Sequence, residues 1–556
     1  MNSIPLFLII ISLFAACLIL LINFLKVPSI LTKLISLSSI IIILILIGFF
    51  TASILIKKQI LIYNLGAWKE PLGISLHMDG LAWFSSLFGT IIALFALIYS
   101  LKEKNYSFKF YFFFLILLSG MQGVILTNDI FNMFVFFEIL SIASYILIAY
   151  SRENKAIKAS FDYLLISSLG MSLFLLGIGL IYQGCGSLSL TEIGKNFNIK
   201  AGISPSMFRL AISLIIVGIG IKAAFVPLHF WLPNAHAYAP TPISVLLSAV
   251  MIKISFLAIW RIINTLEAIN FQYFFLWIGS LTALIPVIWA LSQTDIKKLL
   301  AYHSVSQMGF IIASFGAGSA LSLTGSLYHL LNHSFFKSLL FFSAGAVIYA
   351  TGIRDLRKLS GLYKKMPYVA IVSLVGALSI TGIPPFNGFV SKTLITTSLK
   401  EYPLPSFFIF LASVGTVASF TKLMMIFLNR EKVTQKNLGN FSPDKIRKIP
   451  KTMIYPLISL SIICLLSGIF PSWIIKGISN FILLKDLAYP LKVYSPSNIG
   501  KSLTILGLGI FLYLFISTKR GKQISLAIRK REFGLNNSLL LVLAGLLVFI
   551  IFMKIL

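Results

Sequence analysis

Long apolar runs separated by short polar and basic stretches repeat along all 556 residues. A membrane-spanning helix needs about 20 predominantly apolar residues. On that rule the pattern predicts sixteen spans, at residues 4–25, 29–56, 79–101, 110–127, 130–150, 160–183, 208–226, 240–263, 272–292, 299–317, 321–350, 367–400, 405–428, 453–475, 499–517 and 537–555. The first run is too long for a leader-peptide core and has no basic residue before it, so it reads as a retained span. The expected fold is an all-α polytopic membrane protein, one continuous embedded body without polar linkers.

Composition agrees with that pattern: 58% of residues are hydrophobic and only 11% are charged, where soluble domains carry about 25% charged residues. The 46 Lys and Arg against 16 Asp and Glu give a net charge of +30. In a soluble chain this would suggest a nucleic-acid partner, but here the cations sit in short loops between apolar runs. Taken with the sixteen spans, 27 basic residues fall on one side and 12 on the other. By the positive-inside rule the N-terminus is then outside a cell membrane and the odd-numbered loops are cytoplasmic. Cys17, Cys185 and Cys464 lie far apart, a spacing that argues against a disulfide framework, a zinc site or an iron–sulfur cluster. No cofactor and no metal are expected.

Some charges remain inside the spans. Lys158, Lys222, Lys253, Lys337, Lys392 and Lys422 all stand in apolar stretches, where a charge at a helix centre costs about 2.5–3.5 kcal/mol. Lys253 and Lys337 are central, Lys222 and Lys392 intermediate. Lys158 and Lys422 lie nearer the span ends, where a buried stem with its ammonium at the interface is an equal reading. Glu138 is the one acidic residue deep in a span. Intramembrane carboxylates usually mark ion pathways, and a structural ion pair is the alternative. Removed from water, an ammonium tends to release its proton and a carboxylic acid to keep it, and opposite charges brought together reverse both tendencies. A lysine whose distance from Glu138 changes would therefore be a proton switch.

His329, His333 and Lys337 are spaced four apart and form one polar stripe on a helix otherwise filled by Leu and Phe. The stripe reads as a proton relay, with a structural hydrogen-bonding seam as the alternative, and His303 is a further relay candidate. No HExxH glutamate accompanies the histidines, so a zinc reading is weak. His229 and His236 lie among Pro227, Pro233 and Pro240, a setting that fits loop anchoring or proton uptake equally.

Two spans are interrupted. Pro227 follows Lys222, and Pro384 and Pro385 precede Lys392. Non-helical backbone at membrane depth is tolerated only where protein buries it or water lines it. Paired interruptions in two halves of a chain point to a transporter with inverted repeats. Lys222 to Lys253 is 31 residues and Lys392 to Lys422 is 30, an echo of similar spacing. The expected organisation is helices 1–3 over 1–109, a first five-helix repeat over 110–263 and a second over 272–428. A basic loop, helix 14 and an outer loop would follow over 429–498, then two extra C-terminal helices over 499–556.

The segments NDIFNMFVFFEILSIASYIL, GIKAAFVPLHFWLPNAHAYAPTPISVLLSAVMIK, DIKKLLAYHSVSQMGF, YHLLNHSFFKSLLFFSAG and GIPPFNGFVSK resemble the proton-conducting antiporter-like subunit family. This family includes Mrp-type Na+/H+ antiporter subunits, the large membrane subunits of respiratory complex I and those of membrane-bound hydrogenases. The resemblance covers roughly residues 75–430. It implies fourteen core helices with two inverted five-helix repeats and Glu138 paired with Lys222. It also implies a central path through Lys253 and Lys392, a polar position at Lys158, and Lys392 facing the exit side. Lys392 departs from one complex I subunit class, which has glutamate there. Chain length and the AYHSVSQ segment look most similar to the Mrp antiporter component of the D kind and its hydrogenase relatives.

The expected function is proton translocation within a multisubunit membrane complex, as a cation (Na+)/proton antiporter component of the D kind. The alternative is a proton-pumping subunit of a complex I-type oxidoreductase or a hydrogenase, in either case without a redox centre of its own. A stand-alone solute carrier is a remote alternative, because it would need a pocket of neutral polar residues. Other membrane subunits, the lipid bilayer, protons and, in the antiporter reading, Na+ are the expected partners, with no nucleic acid.

Overall fold

Apolar runs of span length become helices almost throughout, because every backbone polar group in lipid must be satisfied within its own segment. The protein is described from a computed structural model covering residues 3–555 except 27, 104–105, 198–203, 266–270, 429–445, 486, 488–491 and 531–534. Helices α1 (Ile4–Phe24) and α2 (Ser29–Phe49) lead into an antiparallel hairpin, β1 (Leu61–Asn64) with β2 (Ser75–Met78), in which Leu61 faces Met78. Next come α3 (Gly80–Ser100), α4 (Phe108–Leu126), α5 (Ile130–Ile148), α6 (Asn154–Cys185) and the short α7 (Leu190–Phe197). The first interrupted region is α8 (Pro205–Ala223), α9 (Leu232–Tyr238), α10 (Thr241–Leu246) and α11 (Ile252–Thr265). Helices α12 (Gln272–Ser292), α13 (Ile296–Gly316) and α14 (Ala320–Thr351) precede the second, α15 (Pro367–Thr381) with α16 (Asn387–Ser398), and then α17 (Pro403–Met424). The chain ends with α18 (Lys451–Ile469), α19 (Pro471–Gly477), α20 (Pro496–Ser517), α21 (Lys519–Lys530) and α22 (Leu535–Ile555).

Thirteen of the described helices are long and apolar enough to cross a membrane. The three other predicted spans correspond to α13, the α15–α16 pair and α22. The span running through α10 and α11 is wholly buried and α14 mostly so, whereas few residues of α20 are buried. The interior axis is therefore α8–α11, α13 and α14, which carry Lys222, Lys253, Lys337, His236, His303, His329 and His333, with Lys392 on the neighbouring α16.

Three differences from the sequence reading stand out. The span at 240–263 is not one regular helix: a π-helical turn, Leu247–Met251, joins α10 to α11. Lys297, which the predicted spans leave in the loop between residues 292 and 299, lies in the first turn of α13 and is buried. The C-terminal extension holds a third helix, α21, between the two expected, and those two pack on the body: α20 on α17, α22 on α8, with Phe549 of α22 meeting Phe274. Most of the basic loop expected after residue 428 lies outside the described residues.

Near the hairpin, Glu70 accepts hydrogen bonds from Ser75 and Asn128 and pairs with His77 at 3.2 Å. Burial pushes the Glu70 carboxyl up, but those hydrogen bonds outweigh it and hold the group below the usual glutamate range.

Candidate functional site

Both interruptions begin with a residue in the left-handed conformation. Ala224 (φ 56) caps α8 directly after Lys222 and Ala223, and Gly382 (φ 80) caps α15. Backbone groups freed at the first interruption are taken up by side chains. Trp231 Nε1 donates to Ile221 O at 2.8 Å, and Thr282 Oγ1 accepts from Val226 N at 3.0 Å. At the second, Asn332 of α14 donates to Asn387 O at 3.1 Å, and Asn387 Nδ2 donates back to Asn332 Oδ1 at 3.2 Å. Gly388 is required there, since a Cβ would stand 1.7 Å from Ser379 O.

These elements bring Lys222, Lys253, Lys337 and Lys392 into the interior, the first three fully buried and Lys392 7% exposed. Lys222 donates to Ser141 of α5 and lies over the rings of Tyr163 (5.2 Å) and Tyr145 (5.7 Å). Glu138 sits one turn before Ser141 on α5, partly buried, and acts on Lys222 through space rather than by direct hydrogen bond. Lys253 follows the π turn and donates to Ser248 O, while Ser248 and Ser304 share a hydrogen bond of 2.7 Å. π turns of this kind recur at functional sites.

On α14, His329 meets Ser391 Oγ through Nδ1 at 2.9 Å and Gln307 Oε1 through Nε2 at 3.1 Å. The His329 and His333 rings lie 6.2 Å apart and nearly parallel. Ser391 immediately precedes Lys392, so His329 ties the histidine stripe to α16. Both ring nitrogens of His333 and His303, and the ammonium groups of Lys337 and Lys392, have no hydrogen-bond partner among the described residues. Lys337 lies 5.6 Å from the Phe341 ring and Lys392 5.0 Å from that of Phe310. Buried polar groups left in this state are costly, and groups that alternately gain and lose a proton are one reason to retain them.

Two of the cations are elsewhere. Lys158 is exposed on α6, with Asp162 as its electrostatic neighbour, and does not join the row. Lys422 donates to Leu291 O at 2.8 Å at the end of α12, the role of a cation at a helix C-terminus. Gln307 was not singled out in the sequence, although it lies four residues after His303 on one face of α13. Among the described residues no group of three or more His, Cys, Asp or Glu is arranged to hold a metal ion.

A helical membrane protein with two interrupted spans and an interior row of lysines and histidines is built for ion passage rather than for anchoring. Residues 127–419 match the family described as NADH:quinone oxidoreductase/Mrp antiporter, TM, and the chain belongs to it. It is 32% identical over 459 residues to NADH-quinone oxidoreductase subunit N of Desulforudis audaxviator, covering 78% of this chain and 89% of that one. It is 31% identical over 434 residues to the D component of the Na+/H+ antiporter of Alkalihalophilus pseudofirmus, covering 76% and 86%. Its fold superposes with a TM-score of 0.78 on a chain of the Mrp complex from Dietzia sp. DQ12-45-1b, at 23% identity over 91% of this chain and 99% of that one.

Proposed function

We propose that this chain is the proton-translocating subunit of a multisubunit membrane complex, an antiporter component of the D kind exchanging Na+ for protons. The observation that carries this reading is the buried row Lys222, Lys253, Lys337 and Lys392 with His303, His329 and His333 beside it. Such a row has little structural use in a lipid-embedded core and every use in passing protons. Glu138 would set the charge state of Lys222, with Lys392 at the far end of the path. Two five-helix halves, 110–263 and 272–428, would supply one half-channel each. The charge asymmetry of the loops supports a cell-membrane location with the N-terminus outside.

Similarity to an NADH-quinone oxidoreductase subunit favours a second reading, in which the same row pumps protons for an electron-transfer complex. Reconstitution of the intact complex in proteoliposomes tests the shared core of both. Glu138→Ala and Lys222→Ala should each lower proton flux at least about tenfold, a barrier change of roughly 1.4 kcal/mol. Wild-type flux in both variants would sink the mechanism. Dependence of that flux on Na+ separates the antiporter from the pump.

A further inference from the structure

The helix between the last two spans carries charge that the protein does not answer. In α21, KRGKQISLAIRK, five of the twelve residues are Lys or Arg and none is acidic. It leaves α20 by a sharp turn. Thr518 is extended (φ −67, ψ 166), and Gly521 packs so closely on the preceding turn that a Cβ there would stand 2.4 Å from Phe515 O. The chain thus folds back at residue 518 instead of prolonging α20, and α21 packs on α12. Near its far end Arg529 donates to Thr294 Oγ1 at 3.2 Å, in the α12–α13 turn at the basic-loop end of the molecule.

Burial along α21 follows helical spacing and divides it into three faces. Gly521, Ser525, Ile528 and Arg529 are buried or half-buried and turn towards the body. Arg520, Ile524 and Ala527 form a second face, fully on the outside, with Ile524 51% exposed. Lys519, Lys522, Gln523 and Leu526 form a third, also exposed. Among the described residues no acidic group pairs with Lys519, Arg520 or Lys522.

The helices on either side of α21 face lipid. Few residues of α20 are buried, and Leu540, Leu543, Leu547 and Ile551 of α22 are each more than half exposed. A short helix of this composition between two such spans lies at the depth of the headgroups. The Ile524–Ala527 face then meets the upper part of the acyl region, and the Lys519–Lys522 face meets the headgroups and water. Arg520, at the head of the apolar face, can lay its stem along that surface and raise its guanidinium to the same level. Hydration alone is the plainer account of exposed lysines, but it leaves Ile524 facing water at the edge of the membrane.

We infer that α21 is a binding site for anionic phospholipid headgroups, in the leaflet on the basic-loop side. Lys519, Arg520 and Lys522 donate to the headgroup phosphates, while Ile524 and Ala527 rest on the apolar layer beneath. Charge complementarity selects this occupant: cations without acidic partners, beside exposed apolar side chains, match a layer that is negative at its surface and apolar below. A zwitterionic headgroup carries its own ammonium next to the phosphate and offers no net charge to match. The inference needs only the membrane-spanning fold, and holds whichever ion the protein moves. Lipid bound there lies between α20, whose Ser502 donates to Gly382 O at 2.7 Å, and α22, whose Gly545 packs against Pro227.

Photoreactive phosphatidylglycerol and photoreactive phosphatidylcholine, each added in trace to proteoliposomes holding the intact complex, test the assignment. Mass spectrometry of proteolytic fragments reads the label on α21. The wild-type helix should take at least about tenfold more label from phosphatidylglycerol than from phosphatidylcholine, and high salt should shrink that excess. The triple variant Lys519→Gln/Arg520→Gln/Lys522→Gln should lose the excess while label on the distant α1 stays unchanged. Equal labelling by the two lipids in the wild type overturns the inference, and so does an excess that survives in the triple variant. No label from either lipid would show that protein covers this face. Failure of the triple variant to assemble would show that the cations hold a neighbouring subunit. Either of these results overturns the lipid assignment as well.

Discussion

The two interrupted helices solve one problem in different ways. Each must end a helix inside the membrane, turn, and start again without leaving backbone groups unpaired. Where α8 stops, the left-handed residue is Ala224, whose Cβ makes that conformation costly, and the freed groups are met by Trp231 and Thr282 from the core. Where α15 stops, the left-handed residue is Gly382, which carries no such cost. Its carbonyl is met by Ser502 Oγ at 2.7 Å, from α20 in the C-terminal extension. The lysines also differ in place. Lys222 is in the last turn of α8 before the interruption, whereas Lys392 is the sixth residue of α16 after it. The spacing echo between the two halves is thus looser in three dimensions than along the chain. The first site is completed within the core, and the second depends on helices beyond it.

That contrast can be broken most sharply at Gly382. A Cβ there would lie 2.9 Å from Lys392 Cδ in a conformation that L-residues rarely adopt. Gly382→Ala should therefore cost about 1–2 kcal/mol of stability and displace the Lys392 stem, lowering proton flux more than thermal stability alone explains. Flux unchanged in a folded variant would show that Lys392 does not depend on this space.

A smaller effect is expected from the side chains that cap the freed carbonyls. Trp231→Phe removes the indole donor from the Ile221 carbonyl, which keeps only the 3.3 Å bond from Ala224 N, and Ser502→Ala removes the donor to the Gly382 carbonyl; each should cost about 1 kcal/mol. Midpoints of thermal unfolding of the purified complex measure both. No shift in Ser502→Ala would remove the claim that the extension supports the second interruption.

The smallest effect has the opposite sign. Ala224→Gly relieves the left-handed alanine and should raise stability by up to about 1 kcal/mol, partly offset by the freedom glycine adds to the unfolded chain. The same thermal measurement reads it, and a lowered midpoint would show that the Ala224 methyl contributes packing that outweighs the strain.

The hydrophobic pattern alone determined the helical membrane fold and the placing of Lys253, Lys337, His329 and His333 on interior helices. It could do so because burying a charge in an apolar run is costly enough to leave a mark in the sequence, and because four-residue spacing puts side chains on one face. It ranked Lys158 below Lys222, as nearer a span end, but left both readings of Lys158 open; the structure exposes Lys158 on α6 and buries Lys222 on α8. It also put Lys297 in a loop. A cation beside Lys298 at the head of a helix looks solvated until the carbonyl of Ala239 and the hydroxyl of Ser244, more than fifty residues away in the chain, close over it. Tertiary structure alone decided that burial, the meeting of His329 with Ser391, and the capping of Gly382 by Ser502. The reason is physical: periodicity specifies which face of a helix turns inward, but not which polar group on another helix will be waiting there.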